Sequence, residues 1–445
     1  VKQTDILALA QDRLIPVYET EKRHLDWIDQ WYRWDPEKAP LPRQADKEAK
    51  YLLDLARTPW LGLVVTTVAQ MLYLERIYSG QRSAEDVSLD DHWGPWQRND
   101  MESRQIPVHR AALAYGLSYT VTLPGVPGAV IQGVSPRQGL AVYADVADDE
   151  FPMYFLWKKP QAKAIHWRVL DEEKVHFLAQ DDPGSRLEYI EERPHDMGVC
   201  PAVRYANQLD LEGRAPGDIE PLIPTAGRIN KTDYDRLLAQ HYNSWKVRTA
   251  TGLDESANTS ETKMRLRQQD ILTGGEGVQF GTLDETSLEG FIKAHESDLE
   301  TLAGTSQTPV SAYGKLVNVS AEGLVEMRAS LRAKVLERQK SFGGSHVRTL
   351  RLAAIAEGRD VDAADFTIEG RWADVEAVTM AQAVDALGKA SQMLGVPGQL
   401  LWDRIPGVDL TTAQSWRKWT EEHPSPDEVQ AQAVARQLGT SNTLF

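Results

Sequence analysis

Between Thr308 and Val319 the sequence reads TPVSAYGKLVNV, and Lys315 is the only charged side chain in it. An ammonium group on a polar, glycine-bearing loop can neutralise a phosphate, and Ser311 and Asn318 can exchange hydrogen bonds with phosphate oxygens. Tyr313 and Val319 offer apolar surface for packing one such loop on another. The same lysine reads equally well as an ordinary solvated loop residue. Side chains of this kind would contact a phosphate backbone and would read no bases.

Nothing nearby supplies catalysis. Gly314-Lys315 and Gly388-Lys389 lack the upstream glycine and the following hydroxyl of a phosphate-binding loop, so ATP hydrolysis is not expected. Gly274-Gly275-Glu276-Gly277 lacks the dinucleotide spacing and reads as a turn. Asp90-Asp91-His92 are three adjacent residues that do not converge on an ion without a further ligand, and a solvated loop suits them better. Neither H-E-x-x-H nor G-x-S-x-G occurs, and the ten histidines are scattered. The expectation is a protein without cofactor, metal or enzymatic activity.

The loop lies between two helix signals. Upstream, Thr286 to Glu289 reads as a capping box, and Leu288, Phe291, Ile292, His295, Leu299 and Leu302 follow at spacings of three and four. Thr308-Pro309 ends that helix, because proline donates no amide and restricts the residue before it. Downstream, Ser320 is placed to cap a long helix, with Glu322 in its first turn. Leu324, Met327, Leu331, Val335 and Phe342 form its apolar stripe. Gly343-Gly344 predicts a kink or a break before the pattern resumes at His346. Arg328, Arg332, Lys334, Arg338 and Lys340 spread over several faces, as solvated or intersubunit ion-pairing groups would.

The run Thr308-Pro309, Gly314, Asn318, Ser320-Ala321-Glu322, Leu324, Glu326, Leu331, Lys334, Arg338-Gln339 and Phe342-Gly343 resembles portal proteins of long-tailed, siphovirus-type bacteriophages. Pro201 to Asn207, Gly217 to Pro224 followed by Asn230, and Trp372 with Ala381-Gln382 and Asp385-Ala386 match in the same order, so the resemblance spans about residues 50–420. Asp218 departs from it, standing where a small hydroxyl residue is expected.

The resemblance implies an α+β, mainly helical portal fold. Its parts would be a wing at 1–218, a first stem helix at 219–250 and a clip at 251–285. A second stem helix at 286–306 and a tunnel loop at 307–320 would follow, then a kinked tunnel helix returning to the wing at 321–373, and a crown at 374–445. It implies a homo-oligomeric ring of about twelve copies at one capsid vertex of the virion, made in the host bacterial cytoplasm. Non-specific double-stranded DNA would pass through it during packaging and ejection, so that Lys315 repeats as a belt of ammonium groups. The partners implied are the terminase large subunit, a head-tail adaptor and the major capsid or scaffolding protein. The clip would present Lys263, Arg265, Arg267 and Gln269 to the packaging motor. The alternatives are another virion ring component, such as a head-tail adaptor or minor capsid protein, and a soluble enzyme of unrecognised class.

Composition is compatible. A chain of 445 residues with 42% hydrophobic residues builds a sizeable core. Its net charge of −16 disfavours tight phosphate binding; it suits either a channel that DNA must slide through or simple solubility. The lone Cys200 excludes an internal disulfide and reads as a buried thiol. No secretory signal is visible, and no membrane partner is expected. The apolar run Trp60 to Leu74 is short for a bilayer and reads as a buried helix, with Thr58 as cap, Pro59 at its first position and Gly80 after its end. Short strand-like runs from Ser118 to Arg193, with a hairpin at Asp181 to Gly184, predict an antiparallel sheet, and Phe366 to Gly370 a returning strand.

Overall fold

The computed structural model describes residues 3–34, 47–79, 93–160, 164–244, 248–251, 279–282, 286–314, 321–373, 380–408 and 410–423. The chain divides into two compact units, Val1–Ala373 and Asp374–Phe445.

The first unit begins with α1 (Gln3–Leu9), which passes through a π-helical turn, Ala10–Leu14, into α2 (Ile15–Tyr32). Ile6, Ala10, Leu14, Tyr18, Leu25 and Ile28 recur at helical spacing and are all buried. α3 (Lys47–Leu55) and α4 (Trp60–Ala69) follow, then β1 (Leu74–Ser79), α5 (Trp93–Arg98) and α6 (Met101–Tyr115). By length and composition Lys50–Ala69 could cross a membrane. It is, however, broken between α3 and α4, and Leu61, Val64, Val65 and Val68 are fully buried in the protein's own core. The expected buried helix is therefore present but short. The chain beyond Ala69 turns into β1, whose Leu74 and Ile77 are buried while Glu75 is exposed.

Two antiparallel sheets form where one was expected. β2 (Leu117–Leu123), β3 (Val130–Val134) and β9 (Ala202–Ala206) make a three-stranded sheet in the order β3-β2-β9. β4 (Gly139–Val142), β5 (Tyr154–Pro160), β6 (Ile165–Leu170), β7 (Lys174–Gln180) and β8 (Glu188–Pro194) make a five-stranded meander in sequence order. The predicted hairpin at Asp181 to Gly184 joins β7 to β8. One face of the meander packs Leu156, Trp167, Val169 and Leu178 against Ala10, Leu14 and Tyr18. Its other face sets Phe155, Trp157, Leu170 and Val175 against Tyr119, Val121 and Val134 of the smaller sheet, with Cys200 buried between.

α7 (Ile223–Ser244) leads to the paired strands β10 (Arg248–Thr251) and β11 (Gln279–Thr282), and α8 (Glu289–Ser306) returns. α9 (Ala321–Ala356) runs for 36 residues, and after α10 (Asp360–Ala363) the returning strand β12 (Ile368–Trp372) pairs with β1. Gly343-Gly344 does not break α9. The Ser341 and Ser345 hydroxyls donate to the carbonyls of Ala206 and Arg204 on β9 (2.7 and 2.8 Å), and Phe342 and His346 are buried beside them. Packing on both sides of the pair outweighs the roughly 1 kcal/mol each glycine costs a helix. The second unit contains α11 (Met380–Leu394), a 3₁₀ segment Gly398–Arg404 and α12 (Leu410–Glu422).

A chain of buried hydrogen bonds fastens α6, α9 and β9 together. His109 Nδ1 can only donate to the Leu72 carbonyl (3.0 Å), which leaves its Nε2 to accept from His346 Nε2 at 2.8 Å. His346 Nδ1 then accepts from the Tyr205 hydroxyl (3.0 Å), which also meets Thr349 (2.9 Å). Burial lowers His109 to about 4, and burial followed by the nearness of His109 holds His346 well below the ordinary value. Unfolded histidines take up protons near 6.5 while these two stay neutral in the fold, so stability is complete above about pH 6.5 and is lost as pH falls towards 4. His109 alone accounts for about 3 kcal/mol of that loss by pH 4. Denaturant unfolding across pH 8 to 4 is expected to show this slope, and His109→Gln to flatten it; an unchanged slope in the variant would exclude the pair as its cause.

Candidate nucleic-acid interface

α7 and α8 lie side by side, joined by Arg228 to Asp298 (2.8 Å) and His295 to Asp233 (3.1 Å). Near the other end of α7, Asn243 bonds both the amide and the carbonyl of Thr286 (3.1 and 2.8 Å). The capping box expected from Thr286 is not formed; Leu288 occupies the cap position without a side-chain bond, and Asn243 of α7 holds the Thr286 backbone. α8 stops as predicted. Gln307 turns to φ 57°, its amide bonding to the last carbonyls of α8, and Pro309 carries the chain away.

Beyond it Val310–Tyr313 makes one 3₁₀ turn that closes on Gly314 at φ 84°. Tyr313 folds back on its own chain: its hydroxyl shares a hydrogen bond with Ser306 (3.0 Å), and its ring lies 5.9 Å from that of Trp60. Only 6% exposed, it cannot pack against a neighbouring loop as expected; it anchors the loop's base. Ser311 is exposed on the same turn. Lys315, Asn318 and Val319 lie outside the described residues, as do Lys263, Arg265, Arg267 and Gln269.

The other anchor comes from α9. Lys334 Nζ donates to the carbonyl of Ser306 (3.1 Å), the last residue of α8, and lies 2.8 Å from Asp218 Oδ2. One turn on, Arg338 Nε donates to Asn207 Oδ1 (2.5 Å), and the guanidinium stands 3.8 Å from Asp218 Oδ1. Asn207 Nδ2 donates in turn to Asp218 Oδ1 (3.0 Å) and to the Pro216 carbonyl (3.1 Å). Asp218, Lys334, Arg338 and Asn207 are all buried. The two cations share one buried carboxylate, with Glu337, itself largely exposed, 3.0 Å from Arg338 Nη1.

The backbone brings Asp218 here by an approach only glycine permits. A Cβ on Gly116 (φ 91°) would stand 1.8 Å from the Ala215 carbonyl oxygen, and one on Gly217 would stand 2.3 Å from that of Ala114. With both side chains absent, the Asp218 amide reaches the Leu113 carbonyl at 2.7 Å and the Asn207 amide reaches that of Gly116 at 2.9 Å.

Lys334 and Arg338 are therefore neither solvated nor intersubunit groups, as their scatter along α9 suggested. On a helical wheel Arg338 falls about 20° from Leu331, inside the stripe that buries Leu331, Val335 and Phe342. A cation within an apolar stripe was the available signal, and Asp218 in place of a hydroxyl residue was its complement.

The chain belongs to the phage portal proteins of the SPP1 Gp6-like family, whose family model matches residues 11–425. Comparison with curated proteins finds no match. Among solved structures, a chain from the neck of an empty GTA particle, computed with C6 symmetry, is similar over 81% of this chain and 96% of its own length, at 12% identity and a TM-score of 0.47. Family membership makes the protein a structural component of the phage virion and a subunit of its portal ring.

Removing the shared carboxylate strands two buried cations. Asp218→Ala is expected to cost about 3–5 kcal/mol in denaturant unfolding, and adding Lys334→Met to it to recover part of that loss. Strictly additive losses would show that the cluster is not energetically coupled.

Proposed function

We propose that about a dozen copies close into a ring at one vertex of the capsid and form the channel through which double-stranded DNA is packaged and ejected. The terminase large subunit docks on the segment between β10 and β11, with Lys263, Arg265, Arg267 and Gln269 as its contacts. A head-tail adaptor and the major capsid or scaffolding protein are the remaining partners. Ser311 and the residues from 315 to 319 face the duplex. Ser311 and Asn318 offer hydrogen bonds to phosphate, Lys315 gives one cation per copy, and Val319 packs on the neighbouring loop.

What supports this reading is the double anchoring of the loop's base. Tyr313 is bound to Ser306 and packs beside Trp60, while Lys334 of α9 holds the Ser306 carbonyl at the end of α8. A grip on moving DNA needs such a base, because force on the loop tip is otherwise absorbed by its own root. The grip itself must be weak, since every strong phosphate contact would have to be escaped at each step of translocation. One cation per copy in a chain of net charge −16 satisfies that.

Deleting residues 315–319 is expected to leave the native mass of the ring unchanged and to abolish packaging or retention of the genome. Normal genome filling by this variant would remove the loop from the mechanism. Rings of the intact chain are expected to bind free duplex weakly and without sequence preference at physiological salt, and sequence-selective retardation in a gel would contradict the proposal.

A further inference from the structure

One face of the five-stranded sheet carries cations stacked on aromatic rings in a row from β5 to β8. Lys159 Nζ lies 3.5 Å from the centre of the Trp157 ring. The Arg168 guanidinium lies 5.5 Å from the same ring and 5.2 Å from that of Phe177, and Arg193 sits 5.0 Å from Phe177. The strand register produces this row: Trp157 is directly opposite Arg168, Arg168 opposite Phe177, and Phe177 opposite Glu191, two residues before Arg193. His166, opposite Lys159, and Glu188, opposite Ala179, share the face.

The cations of the row outnumber their carboxylate partners. Among the described residues Lys159 and Arg168 have no carboxylate partner, and Arg193 has Glu191 alone (2.5 Å). Lys159 and Arg168 are half-buried, and burial lowers both pKa values, the neighbouring cation adding to the effect in each case: Arg168 for Lys159, Arg193 for Arg168. Partly desolvated like charges are unfavourable together until an anion arrives. Stacking on a ring fixes a guanidinium while leaving its N–H edge free to bind a carboxylate. Trp157, only 3% exposed, offers no stacking platform to a nucleic-acid base.

The complementary charge stands at the β4 side of the same sheet. Asp145, Asp148 and Asp149 lie on the β4-β5 loop, shaped by bonds from the Ala147 amide to Asp145 (2.9 Å) and from the Asp145 amide to Asp149 (2.7 Å). None of the three has an ion-pair partner among the described residues. Glu150 beside them is engaged by Arg351 (2.5 Å), and Arg204 reaches the loop at the Val146 carbonyl (2.7 Å) and over the Tyr143 ring (4.4 Å), leaving the three aspartates aside. This loop precedes Tyr154, the first residue of β5, whereas the cations begin at Lys159 near the far end of that strand and run across the sheet to Arg193 on β8, three strands away. One rigid sheet therefore holds the two sets apart within a chain and presents them on different parts of its surface. Heterologous contact of that kind, one patch on a different patch of the next copy, is what closes a ring.

We propose that the Lys159-Arg168-Arg193 row of one copy seats on the Asp145-Asp149 loop of the next copy as part of the ring interface. The proposal rests on the portal-ring reading. Its test is native mass at low and high salt for the intact chain, for Arg168→Glu with Arg193→Glu, for Asp148→Lys with Asp149→Lys, and for the chain carrying all four changes. Arg193→Glu alone, at an exposed side chain, serves as the mildest variant, and circular dichroism confirms that each is folded. Each reversed pair is expected to raise the concentration needed for assembly by at least about tenfold, and the four-fold variant to restore it. Intact rings in the Arg168/Arg193 variant would overturn the proposal, as would failure of the four-fold variant to recover. Intact rings with lost duplex binding would overturn it too and give the row to phosphates. Absence of rings from the intact chain would instead remove the portal-ring reading itself.

Discussion

The structure turns on one buried carboxylate. Asp218 faces two cations of α9 and receives a hydrogen bond from Asn207, so the loop after β9, the long helix and the end of α8 meet at a single charged point. Burying ions is costly, and a pair of this kind adds little net stability over an apolar equivalent. What it imposes is geometry. Lys334 satisfies Asp218 and the Ser306 carbonyl together at one position of α9 relative to α8, and Arg338 satisfies Asn207 at the same position. A slip of α9 along its axis would break all of these contacts at once.

That constraint fixes the root of the chain between α8 and α9. Its root is held by Tyr313 on Trp60 and Ser306, and by Lys334 from α9. The remainder of α9 is fixed to the smaller sheet by hydroxyl bonds to β9 and by the His109-His346-Tyr205 chain. Load applied near residue 314 therefore has a route into the sheets through polar contacts of defined direction, not through apolar surfaces alone, which slide more readily.

Much of the architecture is legible in residue order. The strand runs, the hairpin at Asp181 to Gly184, the stop at Thr308-Pro309 and the return at Phe366 to Gly370 all rest on local turn chemistry and periodicity, and such signals survive folding. The failures share one cause, which is tertiary contact. β1 follows α4 where an unbroken apolar run suggests more helix, because β12 arrives from nearly three hundred residues away to pair with it. Gly343-Gly344 stays helical because β9 lies against the neighbouring serines. Thr286 lies outside α8, its backbone held by Asn243 on another helix. At the candidate site the loop's boundaries are readable, whereas its anchors are not, since Tyr313 and Lys334 acquire their roles only from Trp60, Ser306 and Asp218.

The central claim is that the short segment after α8 faces a duplex on the axis of a ring. Ser311 offers a direct probe, being exposed, while the chain's one native thiol, Cys200, is buried and held un-ionised by that burial. A photoreactive group attached to Ser311→Cys, in rings halted with DNA inside, is predicted to cross-link to the duplex, and the same group at Ser185→Cys on the β7-β8 turn is not. Equal cross-linking from both positions, or none from Ser311→Cys, would contradict the account.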